Sequence, residues 1–171
     1  AVAAVLVVGA ITATAVARAR TSLPEPEEVV ASIPLLVKGC GNGEDAYSGS
    51  GTVIGRELVL TNFHVVADNA AKDCSGGDLT AYAGSGLSRN GREERPAEVL
   101  AVDPEHDLAV VRVKGLRADP VPIAPADAVE VGEQIRVLGY PGAGGTTLTV
   151  TDGIVSGEIE DGSSAHVRTT E

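Results

Sequence analysis

The chain has 171 residues and a formal net charge of −11 at pH 7, from 13 Lys and Arg against 24 Asp and Glu. With no run of Lys or Arg, that balance excludes a nucleic-acid partner, which needs a basic patch. Apolar residues make up 43 % and aromatics only 2 %, so disorder is excluded and the core must be built from Val, Ile, Leu and Ala.

Short Val-rich runs favour strands, because a β-branched side chain packs well on a pleated surface. The first segment, AVAAVLVVGAITATAVARAR, is different in kind. Residues 1–17 carry no charge, and Arg18 and Arg20 follow. A helix needs roughly 17–25 apolar residues to cross a bilayer, so residues 1–20 read as a hydrophobic helix that anchors the chain in a membrane. A secretory signal cut after Ala13-Thr14-Ala15 or Ala15-Val16-Ala17 is a second reading, and a buried helix a third. TSLPEPEEVVAS, residues 21–32, is rich in Pro and Glu and reads as an exposed linker.

From Ile33 to Gly115 short apolar runs alternate with turns: IPLLVKG, SGTVIG, ELVLTNF, DLTAYAG, AEVLAVD and DLAVVRVKG. Runs of this kind bounded by Gly, Asp or Pro predict antiparallel strands in a sandwich or barrel. A single helical turn is expected at HVVADNAA. LRADPVPIAPADAVEVG has no clear period and reads as a connection. EQIRVLGY, TTLTVTDGIVSGEIE and AHVRTTE then form a second strand-rich stretch. The boundaries expected are 33–116 for a first unit and 117–171 for the connection and a partial second one.

Cys40 and Cys74 lie in KGCGNG and KDCSGG, with no CxxC and no surrounding ligands, so no zinc site or other metal site is expected. If the apolar start exports the chain, the two form a disulfide that closes a loop around His64. Two buried free thiols are the alternative.

Three histidines are present. His64 follows VLTN and precedes VVADNA, a strand end from which an imidazole can reach substrate. An imidazole suits proton transfer near neutral pH, provided a carboxylate fixes its tautomer. Asp107, which opens the apolar run DLAVVRV, has the right setting. Taken singly, each is as readily a satisfied structural histidine and a turn residue. Asp103 in AVDPEHD competes for the role, but it sits in a Pro-containing turn. His106 adjoins Asp107, and strand neighbours face opposite ways, so it is not expected to share the site. His166 reads as a surface strand residue.

GSGTVI (49–54), LTNFHVV (60–66), DLAVVRV (107–113), LGYPG (138–142) and VTDGIVSG (150–157) occur in the order seen in trypsin-like serine proteases of the HtrA/DegP type, which the chain resembles from Ile33 onward. The resemblance implies an all-β, chymotrypsin-like pair of antiparallel β-barrels with the second incomplete. It implies His64 as general base, Asp107 as its orienting acid, protein or peptide substrates and no cofactor. The catalytic unit is expected outside the cytoplasm, secreted or held by residues 1–17 in a membrane.

One departure stands against the resemblance. The family's nucleophile lies in a Gly-Asn-Ser-Gly-Gly or Gly-Asp-Ser-Gly-Gly turn whose N–H groups form the oxyanion hole, and neither turn occurs here. Ser48 and Ser50 match a structural position, Ser156 a strand, and Ser163 and Ser164 a hairpin loop. The nucleophile is therefore expected just past Glu171, and this polypeptide alone is not expected to hydrolyse peptides. A catalytically inactive barrel that binds peptides or proteins, or one half of a split protease, is the alternative. A purely structural barrel would leave five ordered matches unexplained.

Overall fold

The computed structural model describes residues 5–6, 25–40, 45–67, 77–125, 130–141, 146–160 and 165–170. Seven strands form one antiparallel sheet: β2 (Leu35–Gly39), β3 (Asp45–Ser50), β4 (Thr52–Gly55), β5 (Leu58–Thr61), β6 (Leu79–Ala83), β7 (Glu93–Asp103) and β8 (Leu108–Val113). Their order is β3-β2-β6-β7-β8-β5-β4. Strands at the two ends of that order are consecutive in sequence, joined by Gly51 alone. Seven strands laid flat at about 4.8 Å spacing would hold them some 29 Å apart, and one residue spans about 3.5 Å. The sheet must therefore curl round on itself.

A second antiparallel sheet has the order β1-β9-β10-β11. It comprises β1 (Val5–Leu6), β9 (Gln134–Gly139), β10 (Thr149–Glu160) and β11 (Ala165–Thr170). The architecture is all-β, with two short α-helices among the described residues, α1 (Pro26–Val29) and α2 (Phe63–Val66).

Burial explains the strand sequences. Leu36, Val53, Val59, Val65, Val111 and Val113 fill the inside of the curled sheet, each nearly or fully inaccessible. On β2 the alternate residues Leu35 and Val37 point the other way. There they join Val30, Ile33 and Tyr82 with Leu138, Tyr140 and Leu148 in a core that binds one sheet to the other. The unbroken run LLV follows, since a strand covered on both faces has no polar side. Ile135 and Val155 form a smaller cluster within the second sheet.

Arg92 is buried at this junction. Its guanidinium donates to the carbonyls of Gly86 (2.5 Å), Ile33 (2.7 Å), Tyr82 (3.3 Å) and Val30 (3.4 Å). The Tyr140 ring lies 5.1 Å away, in cation–π range. Burial lowers the Arg92 pKa, and the nearby Tyr140 opposes this. Burial pushes the Tyr140 phenol up to about 12 against the pull of Arg92.

Two expectations for the N-terminal part need correction. The only described residues of the apolar segment, Val5 and Leu6, are a strand, not a hydrophobic helix. They pair antiparallel with Leu138 and Val137, and Val5 is of the β-branched type that favours strands. Among the described residues no helix is long and apolar enough to cross a membrane. The second half of the expected linker is exposed at Glu27 and Glu28 but not throughout. It forms α1 and a 3-10 turn over Val30–Ser32, with Val30 and Ser32 buried, because the pair of valines in EEVVAS supplies apolar surface to the junction.

Candidate active site

β5 and β8 pair antiparallel, with Thr61 opposite Ala109. The end of β5 thus lies beside the start of β8, and residues 43 apart in sequence meet across that border. Asn62 follows β5, and the single turn of α2 then places His64, within the stretch where a helical turn was expected.

Asp107 has a φ of 53°, the left-handed region that Asp tolerates better than most residues. This conformation turns both its carbonyl and its carboxylate towards the His64 turn. The carbonyl accepts from the Phe63 N–H at 3.0 Å and from Asn62 Nδ2 at 3.0 Å. Oδ1 accepts from the His64 backbone N–H at 2.9 Å. Oδ2 takes Asn62 Nδ2 at 3.2 Å and lies 2.7 Å from His64 Nδ1.

Burial alone would raise the Asp107 pKa. The bonds from the His64 N–H and ring, the imidazole charge and the Asn62 amide outweigh it and hold the carboxyl below its ordinary value. The carboxylate is therefore ionised at neutral pH and only accepts. His64 Nδ1 must then carry the proton, which leaves the Nε2 lone pair free. The His64 side chain is 41 % exposed, so that nitrogen is open to a reactant. An imidazole held in this tautomer by a carboxylate is competent as a general base.

The other candidates lie elsewhere. Asp103 ends β7 and bonds His106, not His64, with Oδ2 2.8 Å from His106 Nδ1. That bond chiefly lowers the Asp103 pKa and raises that of His106. His106 is outside the site as expected, but for another reason: residues 104–107 are a turn, so strand alternation does not apply. Ser48 is exposed on β3, Ser156 lies on β10, and Ser50 is 3 % exposed with its hydroxyl accepting the Tyr140 N–H. Among the described residues no serine hydrogen-bonds His64. Ser163, Ser164 and Cys74 lie outside the described residues, and His166 lies on β11 opposite Ile159.

Sequence reading missed Asn62, whose amide braces the carboxylate. The available signal was an Asn at the N-cap of a helix, where a side-chain cap is usual; here that cap bond is absent and the amide turns to Asp107.

A family model described as the trypsin-like peptidase domain matches residues 49–170, more than half of the chain. The chain belongs to this family. Among relatives of this trypsin-like peptidase, the serine protease Rv3671c of Mycobacterium tuberculosis is 34 % identical over 125 residues, 72 % of this chain and 26 % of that protein. A probable periplasmic serine endoprotease, DegP-like, of Ectopseudomonas mendocina is 34 % identical over 129 residues, 73 % of this chain and 24 % of that protein. The chain thus spans about a quarter of the length of these relatives. In structure it is similar to the active form of the Rv3671c protease, with a TM-score of 0.62 at 26 % identity, covering 95 % of this chain and 70 % of that one. The fold is accordingly chymotrypsin-like.

Proposed function

We propose that the protein is a serine endopeptidase that acts outside the cytoplasm by acyl transfer, with His64 as general base and Asp107 as its orienting acid. The observation that carries this reading is the 2.7 Å contact between His64 Nδ1 and Asp107 Oδ2, which leaves Nε2 unprotonated and accessible. In the reaction Nε2 takes the proton of an attacking serine and returns it to the leaving amine. Asp107 holds the ring and balances the imidazolium formed on the way. Water then deacylates the enzyme. No cofactor or metal has a part in these steps.

The serine is assigned outside residues 1–171, because none of the Gly-Asn/Asp-Ser-Gly-Gly type is present and Ser50 is buried in another role. The first barrel is assigned to residues 33–116 and the connection with part of the second to 117–171. The periplasmic name of one relative supports the extracytoplasmic assignment. Disulfide pairing of Cys40 with Cys74 fits it too. Cys40 is not a free thiol, and the chain has only two cysteines.

The missing serine turn favours a second reading, an inactive barrel that binds peptides or proteins. One experiment separates the two. The full reading frame is expressed and exposed to a fluorophosphonate probe, beside its His64→Ala variant. Labelling that depends on His64 is expected. No labelling, or labelling that persists in the variant, sinks the peptidase reading.

A further inference from the structure

The turn Gly49-Ser50-Gly51 touches what holds His64 at more than one point. A Cβ on Gly49 would stand 2.5 Å from Val65 Cγ2, so bare backbone packs against the residue next to the histidine. Ser50 makes two bonds in opposite directions. Its carbonyl accepts from Thr61 Oγ1 at 2.8 Å, within the curled sheet. Its hydroxyl oxygen accepts from the Tyr140 backbone N–H at 2.7 Å, in the other sheet. Both bonds are buried.

Thr61 ends β5, three residues before His64. Tyr140 lies just past the end of β9, so its N–H has no ladder partner and needs another acceptor. Its phenol donates to the Ile33 carbonyl at 3.4 Å, and its ring lies by Arg92. A line of contacts therefore runs from the histidine turn through Thr61 and Ser50 to Tyr140 and the junction between the sheets.

We propose that Ser50 is a positioning residue that sets the His64–Asp107 pair against the second sheet. It rests on the reading of that pair as the working dyad. The family's reaction needs groups from both sides of a cleft aligned closely, and a misplacement of about 1 Å is enough to cost about a hundredfold in rate. One hydroxyl that fixes the second sheet and one carbonyl that fixes the histidine strand, on the same residue, keep the two in register. The carbonyl is there whatever the side chain, so the two links separate cleanly. Ser50→Ala cuts only the link to Tyr140, and Thr61→Val cuts only the link to the histidine strand.

The test uses the isotope-labelled chain and two NMR signals: amide exchange at Tyr140 and the Nδ1 proton resonance of His64. The Asp103–His106 pair, which has no contact with Ser50, is the internal reference. In Ser50→Ala the Tyr140 amide should exchange roughly tenfold faster, as loss of one buried bond implies, and the His64 resonance should move while that of His106 does not. In Thr61→Val the His64 resonance should move with the Tyr140 amide still protected. A folded Ser50→Ala with a lower Tm and an unmoved His64 signal assigns Ser50 a merely structural role and overturns the proposal. Should Ser50→Ala not fold, Thr61→Val decides, and an unmoved His64 signal there overturns it equally. These signals need no peptidase activity, so they stand apart from the outcome of probe labelling.

Discussion

Replacing Asp107 by Asn tests the dyad at its smallest perturbation, since shape is kept and one acceptor becomes a donor. The carboxylate receives three N–H groups, from the His64 backbone (2.9 Å), the His64 ring (2.7 Å) and Asn62 (3.2 Å). An amide has one oxygen to offer them. If that oxygen faces the His64 backbone, the amide NH2 faces Nδ1, which must give up its proton and pass it to Nε2. Turned the other way, the NH2 meets the backbone N–H, donor against donor.

Charge-assisted bonds contribute about 1.5–3 kcal/mol each. Asp107 is 36 % exposed, however, and water offsets much of what is lost. A destabilisation of about 2 kcal/mol is expected, read as a lower urea midpoint at pH 7. The ring nitrogen shifts of His64 should report the proton on Nε2 in place of Nδ1, and in the full reading frame kcat should fall about 10⁴-fold. A variant that keeps the proton on Nδ1 would refute the assigned tautomer, and with it the base.

The same carboxylate sets an acid limb. Its folded pKa lies below the ordinary 3.8, so its contribution is complete above that pH and is lost as pH falls through the folded value. The Tm gap between wild type and Asp107→Asn should be constant from pH 7 to about 4 and narrow only below it; a gap that narrows already near neutrality would contradict this. For the cysteines, thiol titration of the unreduced, denatured chain should find none free, and reduction should cost about 3–4 kcal/mol for a loop of this length. Two titratable thiols would refute the Cys40–Cys74 bridge.

The strands and the meeting of His64 with Asp107 were legible because their signals are local or ordered. Val-rich runs such as DLAVVRV and LVLT became β8 and β5, and antiparallel pairing of those two delivered Asp107 to His64. What was hidden depends on contacts made only after folding. Asn62 reads as a helix cap and serves instead as a brace, and Ser50 gains meaning only from Tyr140, ninety residues away. Within residues 25–32 the glutamates are exposed as read, but Val30 and Ser32 are buried, because the two valines pack at the junction despite the Pro- and Glu-rich composition around them. The reason given for excluding His106 failed because a left-handed Asp107 ends the strand period before it reaches the histidine.

Arg92 gives the joint between the sheets a property the dyad lacks. Among the described residues its hydrogen bonds all end on carbonyl oxygens, with no carboxylate among them. Carbonyls do not titrate, and a guanidinium keeps its proton throughout the biological range. Acid that neutralises Asp107 therefore leaves this joint fastened. The joint and the His64–Asp107 contact thus differ in kind, one insensitive to acid and the other dependent on an ionised carboxylate.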